Sequence, residues 1–263
     1  IHWTEHPGNP ILRGGDLPFG SSWQTPHVLV DADEGVYKMW FIMAAGRRNE
    51  EGRMVDIQQK LGYATSPDGI RWDVHPEPIF PDGRRPCVIK DGPHAYRMWM
   101  NSSPSSDGTF DGLVGNIYRF VSTDGINWTR DPEPMLTAND KLRSVIYAFV
   151  MQLGDGYIMW YGCHVEDRTD LYEIFCSTST DGLTWDHHHD RPTFPATRDP
   201  NDFDGRYTST PCVLDDGDRY LLYYSTRDWG NLYGAGDGTV KFDRAGIYRH
   251  IGVAVCPKVS LSS

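Results

Sequence analysis

One phrase, S-x-D-G-x-x-W, occurs three times: SPDGIRW (Ser66 to Trp72), STDGINW (Ser122 to Trp128) and STDGLTW (Ser179 to Trp185). The copies recur roughly every 57 residues, a period close to that of propeller blades. The chain opens on IHWTEHPGNPIL, the same phrase with its front removed. Asp-Gly between two apolar runs marks a tight hairpin in which glycine supplies the positive φ. The tryptophans Trp72, Trp128, Trp185 and Trp3 are expected to pack between neighbouring sheets.

A second phrase alternates with the first. It reads TPHVLVDADEGVYKMWF, RPCVIKDGPHAYRMWM, YAFVMQLGDGYIMWY and TPCVLDDGDRYLLYY. Each copy is an apolar strand, a Gly/Asp turn and an aromatic strand, hence an A–B hairpin; the D-G phrases are then C–D hairpins. Four strands per repeat, radially arranged, make a blade, and no helical periodicity competes. The expectation is an all-β chain, 1–263, forming a single β-propeller domain of four-stranded antiparallel blades with four repeats visible. The last repeat ends on IYRHIGVAVCP (Ile247 to Pro257) as strand C, and the opening residues read as a strand D. Pairing that N-terminal strand with the C-terminal blade would close the wheel and remove both edges. Four blades result if the chain starts at Ile1, five if further residues precede it.

Charge narrows the partners. The net charge of -11 disfavours nucleic acid and anionic membranes, both of which would be repelled. No apolar run reaches the length of a membrane span and no secretory signal is present, which leaves a soluble chain of undecided compartment, cytoplasmic or secreted. Ile1 in place of an initiating Met fits a removed leader or a trimmed chain. Five cysteines without C-x-x-C spacing read as free thiols, with Cys87 and Cys212 at buried strand positions.

The P-x-V…Y-x-M-W strands alternating with S-x-D-G-x-x-W hairpins resemble the arabinanase, levansucrase and invertase superfamily of glycoside hydrolases. The resemblance covers Ile1 to about Pro257. It implies five-bladed propellers that cleave or transfer furanose and related sugars with paired carboxylates. It also implies an acid at the start of strand A, but this chain has Gln24-Thr25, Arg84-Arg85, Ile146-Tyr147 and Ser209-Thr210 there. The invertase-type Arg-Asp-Pro motif occurs at Arg130-Asp131-Pro132, in an outer strand, and at Arg198-Asp199-Pro200, in a connecting loop. Neither place is where the family's catalytic element belongs.

Blade topology puts the short hairpins on one face and the long, charged B–C and D–A connections on the other, where a scaffold keeps its function. Hydrolysis of a glycoside needs one protonated and one ionised carboxyl. Asp16, Glu166 and Asp204 are the candidate catalytic residues: Asp204 as base or nucleophile, Glu166 as acid, Asp16 orienting sugar hydroxyls or tuning a pKa. Trp23, Gln24, Arg85, Arg143, His164, Tyr207, Arg227 and Trp229 are candidate substrate contacts, aromatics stacking on sugar faces and arginines holding anionic groups. No cofactor is required, although a structural calcium on the axis is compatible with such a funnel. The run His187-His188-His189 alternates between strand faces and cannot converge on one ion, so it reads as solvent-exposed. The expected partner is a carbohydrate, and the reaction a hydrolysis or transglycosylation. Arg84, Arg85 and Arg143 motivate the alternative of a glycoside phosphorylase, and the missing strand-A acids that of a carbohydrate-binding propeller without catalysis.

Overall fold

The computed structural model describes residues 4–50, 54–103, 115–139, 142–165, 171–228, 232–234, 240–242 and 250–258. In it the repeated phrase builds one turn three times. Ser66 Oγ accepts the Gly69 N–H at 2.8 Å, while Asp68 Oδ1 accepts those of Ile70 (2.9 Å) and Arg71 (2.8 Å). Ser122 and Asp124 do the same for Gly125, Ile126 and Asn127, and Ser179 and Asp181 for Gly182, Leu183 and Thr184. The three glycines take φ of +76°, +77° and +72°. At Gly125 packing adds a second demand, because a Cβ would stand 3.0 Å from the Trp40 ring. Trp72 and Trp128 close their turns by donating to the carbonyls of Gly69 and Gly125.

The chain forms two compact units, Ile1–Leu136 and Thr137–Ser263. In the first, β1 (Ser22–Asp31), β2 (Val36–Arg48), β3 (Met54–Ser66) and β4 (Asp73–Val74) make an antiparallel sheet in sequence order. A second sheet follows from β5 (Arg84–Gly92), β6 (Ala95–Ser102), β7 (Asn116–Ser122) and β8 (Thr129–Arg130), with β9 (Leu136–Thr137) also on β7. Strand alternation divides β2 between two cores. Trp40 and Ile42 pack with Val88, Tyr96, Met98, Phe120 and Trp128 of the second sheet, and Trp40 Nε1 donates to the Gly125 carbonyl at 2.8 Å. Met39, Phe41 and Met43 face the other way, against Leu12, Leu17, Phe19, Trp23 and Trp72.

In the second unit, β10 (Ile146–Leu153), β11 (Gly156–His164), β12 (Tyr172–Ser179) and β13 (Asp186–His188) form the third antiparallel repeat. The fourth comprises β14 (Tyr207–Asp215), β15 (Arg219–Arg227), a small hairpin of β16 (Leu232–Gly234) and β17 (Val240–Phe242), and β18 (His250–Pro257). A single parallel bridge, Tyr172 to Tyr207, joins the two repeats. All four A–B hairpins and all three D-G hairpins therefore form as read.

Two expectations need correction, the N-terminal strand and the burial of Cys212. Among the described residues no sheet closes and β18 ends its sheet, leaving Ile251 80% and Val253 53% exposed. The segment 4–13 makes turns and bends instead of a strand, because Pro7 and Pro10 lack the N–H a ladder needs. Trp3 lies outside the described residues. Cys212, read as buried, is exposed, while Cys87 is buried. The difference is cover: Cys212 shares a sheet face with Leu214 and Tyr223, which are exposed too, whereas β5 packs against the first sheet. No described helix is long and apolar enough to cross a membrane.

Polar cement joins the two sheets of the first unit. Asp31, fully buried, lies 2.9 Å from Lys38 Nζ and accepts from Lys90 and from the Tyr96 hydroxyl (2.7 Å). Burial alone would raise the Asp31 carboxyl, but hydrogen bonds from Lys90, Tyr96 and Lys38 hold it well below the usual range. Asp31→Ala strands two buried cations and is expected to cost about 3–5 kcal/mol in urea unfolding, against under about 1 kcal/mol for the exposed Glu34→Ala.

Acid sensitivity follows with a definite sign. Burial, helped by Arg85, depresses the His27 imidazole to about 4. Its unfolded form takes up protons first, so stability is full above about pH 6.5 and is lost as pH falls from there towards 4. Asp31, Asp68, Asp124 and Asp181 are all lowered, and their contributions vanish only as pH falls below about 4. Urea midpoints should therefore decline in two stages, and His27→Gln should flatten the upper one.

Candidate functional site

Each strand A carries the same irregularity. The ladder slips between Gln24 and His27, Arg84 and Cys87, Ile146 and Phe149, and Ser209 and Cys212. Inside each slip sits one non-glycine residue at positive φ: Thr25 (45°), Arg85 (48°), Tyr147 (65°) and Thr210 (49°). A non-glycine residue held there stores about 1–3 kcal/mol and persists only when its surroundings fix it. Bulges of this kind re-aim side chains beside functional sites. They fall at the places where the family resemblance implies an acid.

The second unit gathers most of the candidates. The Arg143 N–H donates to the His164 carbonyl at 3.0 Å, and the His164 N–H donates to Ser144 Oγ at 3.1 Å. The His164 ring is buried and its Nδ1 donates to the Leu171 carbonyl at 3.3 Å, which fixes the tautomer. Tyr172 and Tyr207, brought together by the parallel bridge, stack at 5.4 Å, and both meet the His164 ring edge-on, at 4.8 and 5.7 Å. The Arg227 guanidinium sits 4.5 Å over Tyr207. His164, Tyr207 and Arg227 were foreseen; Tyr172 was not, because its role depends on a pairing distant in sequence.

Asp204 stands three residues before Tyr207 and is 5% exposed. Its Oδ2 accepts from the Tyr224 hydroxyl at 3.1 Å, while Oδ1 is buried and has no hydrogen-bond partner among the described residues. Phe194 and Phe203 pack on Tyr224. Burial, followed by the Asp204 charge, raises the Tyr224 phenol to about 12, so it stays a hydrogen-bond donor at neutral pH. One oxygen of Asp204 is thus oriented by the Tyr224 phenol, while the other is a buried acceptor without a partner among the described residues, the kind of group that calls for an explanation.

The remaining candidates are spread out. Asp16 is exposed and its Oδ2 accepts the Arg13 N–H, capping its own short turn. Trp23 donates to the Arg13 carbonyl and packs on Phe41 at 4.3 Å. Gln24, Gln59 and Arg84 form a chain of hydrogen bonds across the two sheets of the first unit. Arg85 holds the strained position beside His27, and Arg143 is exposed. Glu166 and Trp229 lie outside the described residues. Asp82, on the connection before β5, is buried and accepts from Ser102 Oγ at 2.7 Å and from the Ser103 N–H. No cluster of three or more His, Cys, Asp or Glu suited to a metal is found among the described residues.

The histidine run is corrected in part. His188 is exposed, but His187 and His189 are half-buried and stacked at 5.1 Å, bonded to Ser177 and Tyr161. Both Arg-Asp-Pro motifs are occupied structurally. Arg130 donates to Ser102 Oγ and the Ser103 carbonyl, and Arg198 pairs with the buried Glu173 at 3.1 Å. Arg198→Met is expected to destabilise the fold by about 1–3 kcal/mol in urea unfolding, by removing a charged partner from a buried carboxylate.

No protein-family model matches the chain. An uncharacterized protein of Mycobacterium tuberculosis is 30% identical over 182 residues, 64% of this chain and 58% of that relative. A putative glycoside hydrolase from Parabacteroides distasonis aligns with a TM-score of 0.61 at 16% identity, over 85% of this chain and 71% of that one. The Bombyx mori GH32 beta-fructofuranosidase aligns at 0.56 and 12% identity, over 79% and 43%. A structure described with the GH130 family of mannoside phosphorylases aligns at 0.55 and 14%, over 84% and 62%. The chain thus spans less than two thirds of the mycobacterial relative and less than half of the silkworm enzyme. At these identities the likeness is one of fold: the chain shares an all-β fold with solved glycoside hydrolases.

Proposed function

We propose that this chain is a glycoside hydrolase or transglycosylase acting on an oligosaccharide or glycoside, with its blades closed into a propeller. The observation that supports the reading most is Asp204: a buried carboxylate, oriented by a phenol through one oxygen, on a fold shared with glycosidases. In this reading Asp204 is the base or nucleophile. Glu166, two residues beyond His164 on the connection after β11, is the acid. Arg227, half-buried over Tyr207, offers donors to the hydroxyls of a sugar, and the buried rings of Tyr207, Tyr172 and His164 support it from behind.

The test is a panel of furanosides and pyranosides. Asp204→Asn and Glu166→Gln should each lower turnover about 10²- to 10⁴-fold, as expected for a lost acid or base, while the Tm moves by no more than about 4 °C. Full activity in both variants would remove this assignment. Asp16→Asn belongs in the same series. A second reading, a glycoside phosphorylase, draws on the GH130 resemblance and on Arg143 beside His164; rates that rise with inorganic phosphate would select it. Saturable sugar binding without any product would point instead to a carbohydrate-binding module.

A further inference from the structure

The first unit carries a cleft at the hairpin end of its two sheets, away from the bulged strand starts. Its volume is about 520 Å³, and it is lined by residues of the first sheet (Glu34, Lys38, Tyr63, Thr65, Asp73) and of the turns of the second (His94, Thr123). Nothing in the proposed glycosidase chemistry uses it.

Two independent observations point to a ligand. The first is Tyr63, which is 5% exposed and lines the cleft, yet its hydroxyl has no hydrogen-bond partner among the described residues. A phenol that is nineteen-twentieths buried, lines a cleft and has no protein partner among the described residues is a donor and acceptor open to whatever fills the cleft. The second is the local charge. Lys38 is the only lysine or arginine among the described lining residues, and its three ammonium hydrogens are already taken by Glu34 (2.6 Å), Asp31 (2.9 Å) and Tyr96 (2.9 Å). Asp73 has no ion pair among the described residues, and Glu34 is half-exposed at the rim. A ligand entering here therefore meets carboxylate charge, then hydroxyls of Tyr63, Thr65 and Thr123.

We propose that this cleft binds a small hydroxylated organic cation, of the amino-sugar or amino-alcohol class. Its ammonium group would sit between Asp73 and Glu34, where a charge-assisted hydrogen bond is strongest. Its hydroxyls would satisfy Tyr63 and the two threonines. The buried ion cluster beneath fixes Lys38, which in turn anchors one carboxylate oxygen of Glu34 at 2.6 Å.

Titration calorimetry with glucosamine tests this, with glucose as the uncharged control. Binding is expected at a dissociation constant near about 1 mM, at least about tenfold tighter than glucose, and weakened several-fold between about 50 and 500 mM NaCl. Asp73→Asn should weaken it about tenfold. Tyr63→Phe, which keeps the ring in the core, should weaken it about 3- to 10-fold. Asp204→Asn should leave it unchanged, which separates this cleft from the proposed catalytic site. Equal affinity for glucose, indifference to both first-unit substitutions, or no heat at about 50 mM glucosamine would each overturn the proposal, whatever the outcome of the glycoside panel.

Discussion

Everything else in the fold leans on a carboxylate clamping backbone amides. In each S-x-D-G-x-x-W turn the aspartate accepts two successive N–H groups and the serine accepts the glycine's. That satisfies donors which a tight hairpin would otherwise leave to water, and it fixes where the tryptophan leaves the chain. The consequence reaches the next sheet. The Gly125 carbonyl accepts from Trp40 of the neighbouring repeat while its Cα sits against the same indole, so turn and core are one construction. Within the first unit the clamp thus ties the turn of the second sheet to the core of the first.

This explains which features were legible in the sequence. Hairpins are local: Asp-Gly spacing, strand alternation and aromatic runs sit within about 40 residues, and every one of them formed as read. Asp204, His164, Tyr207 and Arg227 could be singled out because the topology assigns their connections to one end of the strands. Tyr172 and Tyr224 could not, since their importance comes from a parallel bridge and from a contact made 20 residues away. Glu173 looked like an ordinary strand residue; only the Arg198 loop folding back shows it as a buried charge.

The bulges were hidden for a different reason. Thr25-Pro26, Arg85-Pro86 and Thr210-Pro211 read as extended dipeptides, because proline pushes its predecessor towards β geometry. The structure instead places each predecessor at positive φ. The pre-proline rule is broken at three equivalent positions and Tyr147 takes the same conformation without a proline, which makes accident an unsatisfactory account. The regular ladders that continue on either side of each slip hold it in place, so the cost in strain is met by the whole hairpin.

Such an arrangement separates scaffold from specificity. The backbone kink is constant from repeat to repeat, while the residue it carries changes from threonine to arginine to tyrosine to threonine. Substituting that side chain leaves the ladder hydrogen bonds intact, because they lie outside the slip. A protein built this way can lose an acid at one strand start and recruit another from a nearby connection without refolding its core. Asp204, six residues before Thr210 and held by a phenol of the adjoining strand, has the position and the burial of such a recruit.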